Sequence, residues 1–376
     1  MKKIYINNYL PLILVLIVIL CILILISVVY STHNNCHYCA LAEAFSHKTV
    51  FVEDYFNKYK MSIDYIQLMD SKIVFHFLPL PALLLLVFPG NYFLGLNILS
   101  IIFILSSIIL TYCLIKHFTN NNFFIYILLL GVVFGSPFYR LIFTPVSTWM
   151  FAEIIQYFLL TLSLLIILKK PNISPILVGI LLGLSLLVRY TSIFFVVFFI
   201  GWYYFNKKTY KNIFFLISAL LPFIAVILYY NYLRFGNILT LAIDKVNNVD
   251  SIAQAQSLGI ISLEHFPQNF TLILGSLFFL TPFLLWIFII RFKKDLISFL
   301  SYSMILIFTL FYTIYYFHGV ESFGGWRFLL DFLPFWIIIL SQLFNQKQKL
   351  TKYFIFTVGY SILINSGVLL ISWLYY

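Results

Sequence analysis

Residues 91–115 read NYFLGLNILSIIFILSSIILTYCLI, without one charged side chain. The hydrocarbon core of a bilayer is about 30 Å thick and takes roughly 20 apolar residues to cross as a helix, so this stretch reads as a membrane-spanning helix. Ten further runs read alike: 9–30, 122–138, 148–168, 173–188, 190–206, 213–233, 270–290, 296–316, 327–344 and 353–374. Backbone in hydrocarbon must satisfy its own N–H and C=O groups, which a helix does. The expectation is an all-α, polytopic membrane protein of about eleven transmembrane helices, forming a single integral membrane domain over 1–376. The fifth and sixth of these runs in chain order, 173–188 and 190–206, are short and nearly fused around Arg189-Tyr190.

Composition agrees along the whole chain. Of 376 residues 63% are hydrophobic and 9% charged, and the mean hydropathy is +1.03. A soluble enzyme with one anchor is excluded. The net charge of +11 does not point to nucleic acid, because the cations sit in short loops between apolar runs; the surrounding partner is membrane lipid. Lys2 and Lys3 precede a first run of about spanning length with no small-residue cleavage site after it, which favours a helix over a signal peptide.

Basic residues in short loops mark the cytoplasmic side. With the amino terminus inside, Lys2, Lys3, Lys116, Lys169, Lys170, Lys207, Lys208, Lys211, Arg291, Lys293, Lys294, Lys347, Lys349 and Lys352 all fall there, 14 of 23 basic residues, and the carboxyl terminus falls outside. Glu43, Glu53, Asp54, Asp64, Asp70, Asp244, Asp250, Glu264 and Glu321 fall outside, with Glu153 and Asp331 one turn into helices that start there; only Asp295 is clearly cytoplasmic. Arg140, Arg189, Arg234 and Arg327 lie at outer helix ends, against the topological rule. Guanidinium is the preferred fork for phosphate, so these four are candidate phosphate ligands.

The polar material gathers in three external segments, 31–78, 234–268 and 317–326. The first is closed onto the membrane by 79–89, too short to span and read as an interfacial or re-entrant helix, so that 31–90 forms a helical first extracytoplasmic loop. His318 and Glu321 lie in a glycine-bearing turn suited to close approach of a ligand. Glu153 is costly in an apolar helix unless paired or facing a wet cavity; Arg140 is its nearest cation in sequence, and a structural ion pair and a donor-pocket role are both open. Cys36-His37-Tyr38-Cys39 is compatible with free thiols, a disulfide or a metal site, but lacks the second ligand pair that zinc normally takes. No internal repeat of the kind found in inverted-repeat transporters is visible.

Tyr38-Cys39-Ala40-Leu41-Ala42-Glu43-Ala44-Phe45, then Asp64, then Lys72-Ile-Val-Phe-His-Phe-Leu-Pro-Leu-Pro81 leading into an apolar helix, resembles the start of bacterial polyprenyl-phosphate-sugar-dependent glycosyltransferases of the GT-C fold, a group that includes protein mannosyltransferase-like and aminoarabinose transferase-like enzymes. Asn231-Tyr-Leu-Arg-Phe-Gly-Asn237 and Ser322-Phe-Gly-Gly-Trp-Arg-Phe-Leu-Leu-Asp-Phe-Leu-Pro334 resemble later segments of the same group, in the same order. The resemblance implies an inverting enzyme of the bacterial cytoplasmic membrane. It would move a sugar from a polyprenyl-phosphate carrier to a glycan, lipid or protein acceptor on the extracytoplasmic face. A carboxylate would act as base and cations would stabilise the departing phosphate. Where many relatives carry Asp-Glu before the Tyr-led stretch, this chain has Asn34-Asn35-Cys36-His37. The base role therefore passes to Asp64, or second to Glu43, and the basic position before the proline pair to Lys72 or His76. Donor phosphate would be held by Arg140, Arg189, Arg234 or Arg327, with Glu153, His318 and Glu321 lining the acceptor side. No cofactor is indicated, a divalent cation being left open, and no protein metal site is expected. The alternatives are a transporter or flippase for a lipid-linked or anionic substrate, and an inactive relative of the transferases.

Overall fold

The computed structural model describes residues 12–13, 15–24, 36–59, 64–68, 71–144, 147–169, 175–207, 210–240, 257–289, 294–317, 319–321, 325–343 and 351–375. Each of the eleven apolar runs contains helix. Five helices are long and apolar enough to cross a membrane: Tyr92–Phe118 (α5), Thr148–Lys169 (α8), Tyr210–Phe235 (α11), Leu296–Ile314 (α14) and, within Thr351–Tyr375 (α16), Lys352–Leu370. Shorter apolar helices fill the rest: Val15–Ile24 (α1), Asn122–Phe134 (α6), Pro175–Leu186 (α9), Ile193–Lys207 (α10) and Leu333–Leu343 (α15). Helix starts follow local capping rules: Asn91 Oδ1 accepts from Leu94 N, Asn121 Oδ1 from Phe124 N and Asp295 Oδ1 from Ser298 N.

Two runs depart from the sequence expectation. Residues 270–290 do not form one straight helix: Phe266–Phe279 (α12) gives way at Leu280-Thr281 to a 3₁₀ turn, Pro282–Leu285, and the short Trp286–Ile289 (α13), with a bend of 97°. Pro282 has no N–H to continue the ladder and disfavours helical backbone at Thr281. Asn365 of α16 donates to the exposed Leu280 carbonyl at 3.0 Å. In 327–344 the first turn, Arg327–Asp331, is a 3₁₀ turn, and α-helix begins only at Leu333, so Asp331 precedes the helix instead of lying inside it.

The first loop contains helices His37–Ser46 (α2), Glu53–Phe56 (α3) and Leu80–Leu85 (α4), the last within the 79–89 segment. It also contains an unexpected antiparallel hairpin, Tyr65–Gln67 (β1) with Ile73–Phe75 (β2), pairing Tyr65 with Phe75 and Gln67 with Ile73. A second, smaller hairpin joins Val320–Glu321 (β3) to Gly325–Trp326 (β4); Phe138–Phe143 (α7) is a further short helix.

α8 is the most enclosed of the long helices. Buried hydroxyls lock it to α5 through Thr111 Oγ1 and Tyr157 OH at 2.7 Å, and α14 is locked to α15 through Ser298 and Gln342 at 2.7 Å. Helices α9 and α11 pack tightly against each other at Gly179 and Gly183. A Cβ at Gly179 would lie 2.6 Å from the Leu216 carbonyl oxygen, and one at Gly183 would lie 2.2 Å from the Phe223 ring. Small residues four apart present a flat face to the neighbour, which lets backbones approach where no hydrophobic gradient drives association. Gly179→Val is therefore expected to separate α9 from α11, lowering the apparent melting temperature of the detergent-solubilised protein by several degrees. Gly275→Ala, where added carbon meets nothing within 4 Å, should leave it unchanged.

Candidate functional site

Four charged side chains converge where α8 begins. Glu153, one turn into α8, is 1% exposed, and so is Asp331 of the 327–331 turn. Arg189 sits in the break between α9 and α10, in extended backbone, and its Nη1 reaches Glu153 Oε1 at 2.9 Å and Asp331 Oδ1 at 3.1 Å. Arg327 Nε lies 3.7 Å from the same Glu153 oxygen. Tyr312 of α14 donates to Asp331 Oδ2, Thr191 donates to that oxygen at 3.4 Å, and Gln156 Nε2 donates to Thr191 at 3.3 Å.

The break that offers Arg189 is itself satisfied. Ser192 Oγ donates to Ser185 O, and Leu80 N at the head of α4 donates to Leu187 O. Aromatic faces enclose the guanidinium groups. Arg327 lies 5.5 Å from the Trp149 ring centroid and 5.1 Å from those of Phe317 and Phe328, while Arg189 lies 5.3 Å from Phe328. Such stacking favours a delocalised cation over an ammonium.

Asp64 comes to this cluster from the first loop. It precedes β1 with φ +63, a left-handed backbone that a non-glycine residue adopts at a cost of about 1 kcal/mol. Its side chain is buried, and Oδ2 has no hydrogen-bond partner among the described residues. Burial raises its carboxyl from 3.8 to about 6, against the nearby positive charge of Arg327, which lowers it. The group therefore stabilises the fold most below its ordinary pKa, and that contribution is lost as pH rises through about 6; two pKa units amount to about 3 kcal/mol. His76 follows β2. Removal from water, then the charges of His37 and Arg234, depress it to about 3, so it is neutral at physiological pH.

The other expected site residues do different work. Glu43 accepts from Lys58 Nζ at 2.6 Å and from Tyr59 OH at 2.7 Å. Burial pushes its carboxyl up, but Lys58 and Tyr59 outweigh that and hold it below the usual carboxylate range. It is an ion-paired residue of α2, apart from the arginines. Lys72 stacks on Phe51, 4.5 Å from the ring centroid. Arg234, at the end of α11, is fully buried: Nη1 donates to Phe75 O at 2.6 Å and Phe77 O at 3.2 Å, and Nη2 donates to Asn231 Oδ1 at 2.5 Å. It clamps the β1–β2 hairpin to α11.

Arg140 lies on α7. The cations on Glu153 are Arg189 and Arg327 in its place, because the α9–α10 break and the 327–331 turn both fold over the first turn of α8. Glu321 is in β3; His318 lies outside the described residues. Cys36 and Cys39 form a disulfide. Among the described residues no group of three or more His, Cys, Asp and Glu is gathered as a metal site.

Asp331, Tyr312, Thr191 and Trp149 were not marked as site residues by the sequence. The one available signal for Asp331 was its position: an acid at the head of an apolar helix needs a cation. Comparison of the chain with protein-family models, curated proteins and solved structures finds no match.

Removing one member of a buried ion pair leaves the other charge uncompensated, at about 3–5 kcal/mol. Arg189→Gln should destabilise the protein by that order in denaturant unfolding from mixed micelles, and Glu153→Gln on top of it should recover part of the loss. Strictly additive effects would show that the two charges are not coupled.

Proposed function

We propose that the chain is a membrane glycosyltransferase that takes a sugar from a polyprenyl-phosphate carrier on the extracytoplasmic face and transfers it, with inversion, to an acceptor hydroxyl. One observation supports this reading above the others. A buried carboxylate, Asp64, with an oxygen that has no partner among the described residues, is held in strained backbone under the charge of Arg327, whose Nε lies 3.7 Å from Glu153. The order of motifs along the chain resembles the GT-C enzymes, and five or more helices able to span a membrane suit a lipid-borne donor.

In this mechanism Asp64 takes the proton of the acceptor hydroxyl as that oxygen attacks the anomeric carbon. The bond from that carbon to the phosphate oxygen breaks, and the electron pair leaves with the phosphate. The carrier goes from a phosphodiester monoanion to a phosphomonoester dianion as Asp64 goes from carboxylate to acid. The total charge of the pocket is unchanged. The arginines meet the phosphate charge where it develops, in a water-poor setting that strengthens such contacts. Glu153 and Asp331 hold the guanidinium of Arg189 in place beforehand, so that little reorganisation is needed at the moment of transfer.

The discontinuous helices, broken at Arg189 and at Leu280-Thr281, favour a second reading as a transporter, since broken spans recur at transporter binding sites. Proteoliposomes that move a lipid-linked sugar between leaflets without transferring it would establish that reading.

Transfer by the purified protein from a polyprenyl-phosphate sugar should fall about 10²–10⁴-fold in Asp64→Asn, the usual worth of a general base. Glu43→Gln should stay near wild type. The wild-type rate should drop below about pH 6, where Asp64 is protonated. Equal transfer by wild type and Asp64→Asn would remove the base assignment, and absence of transfer with every lipid-linked donor would remove the class.

A further inference from the structure

The Cys36–Cys39 disulfide closes the first turn of α2, with the two cysteines 1% and 0% exposed. Cys36 is the N-cap residue, its sulfur accepting from Cys39 N at 3.1 Å. Between the two cysteines stands His37. Its main-chain N donates to Thr148 Oγ1 at 3.3 Å and its Nδ1 meets the same hydroxyl at 3.1 Å. Thr148 is the first residue of α8. The imidazole packs edge-on to Phe75 and Phe77, with ring centroids 5.0 and 5.3 Å away, and lies 6.3 Å from Trp149. Trp149 in turn carries the Arg327 guanidinium on its face, and Glu153 follows one turn later on the same helix.

A helix leaves its first N–H groups unsatisfied, so its first turn frays unless something holds it. Here the backbone of 36–39 must stay folded for both His37 nitrogens to meet one hydroxyl. The cross-link removes the open conformations in which they would part. From sulfur to charge cluster the path is two side chains long: His37 to Thr148 and Trp149, then Arg327 and Glu153.

We infer that the Cys36–Cys39 disulfide is a redox-sensitive lock on the junction of α2 with α8, and that its state sets the order of the α8 turn bearing Glu153. The lock closes by thiol–disulfide exchange with a protein or small-molecule disulfide on the α2 side of the membrane. One cysteine thiolate attacks the oxidant, forming a mixed disulfide and expelling one of the oxidant's thiolates. The second cysteine thiolate attacks the mixed disulfide and expels the other. Two electrons and the two thiol protons end on the oxidant's sulfurs. Burial of both sulfurs means that reversal requires α2 to open at its first turn. The lock does not depend on which reaction the neighbouring charges serve.

The native 376-residue chain in detergent micelles is treated with iodoacetamide and mapped by peptide. Hydrogen exchange is then compared for the wild type, a Cys36→Ser/Cys39→Ser double variant, wild type reduced with a phosphine, and Thr148→Val. The reduced wild type covers the case in which the double variant fails to fold. Cys36 and Cys39 should resist alkylation until reductant is added. Exchange at 150–156 should rise roughly tenfold on reduction or in the double variant, a local opening, while 300–312 of α14 stays constant. In Thr148→Val, exchange at 150–156 should already be high and should not respond to reductant. Alkylation of both cysteines without reductant would overturn the proposal, as would a rise confined to 37–46 or one spread evenly over the chain.

Discussion

Two carboxylates, Glu153 and Asp331, are buried in an almost wholly apolar helical bundle, and the surrounding structure is arranged to give them cations. An uncompensated carboxylate at such a site costs several kcal/mol. Arg189 reaches both acids because the chain abandons helix between α9 and α10. Arg327 reaches Glu153 because the residues before α15 form a 3₁₀ turn in place of α-helix. At the α9–α10 break the irregular backbone is made tolerable by buried Ser185 and Ser192 and by the head of α4. The broken helix at Arg189 and the 3₁₀ turn at Arg327 therefore belong to one problem, that of holding charge in an apolar frame.

That frame also explains why Asp64 differs from the other acids. Glu43 has a lysine and a tyrosine of its own and lies ionised at the edge of the loop. Among the described residues Asp64 has an oxygen without a partner, a left-handed backbone and the influence of one neighbouring arginine that already serves Glu153. A carboxylate so placed is the one whose protonation the rest of the site can most easily change.

The apolar runs were legible from sequence because hydropathy is local, and each of them contains helix among the described residues. The bend at Leu280-Thr281 has its local cause in Pro282, but the group that satisfies the Leu280 carbonyl there, Asn365 of α16, lies 85 residues away and could not be read from the run itself. Glu153 was recognisable as a residue that must have a cation, but proximity along the chain pointed to Arg140, whereas the fold supplies Arg189 and Arg327. The β1–β2 hairpin was invisible, since two strands of three residues carry no readable alternation. Cys36 and Cys39 stood at a spacing that allowed three chemistries, and only the geometry of α2 chose among them. Gly179 and Gly183 acquire meaning once Phe223 and Leu216 are known to face them.

Arg234 joins the far end of α11 to the β1–β2 hairpin through the Phe75 and Phe77 carbonyls. With 26 residues at 1.5 Å each, α11 is about 39 Å long, longer than the hydrocarbon it would cross, and such a helix accommodates by tilting. A thinner bilayer tilts it further. Because Arg234 is hydrogen-bonded to both main-chain carbonyls, the end of α11 and the strand β2 form one mechanical unit, and a shift of that helix end carries the hairpin with it.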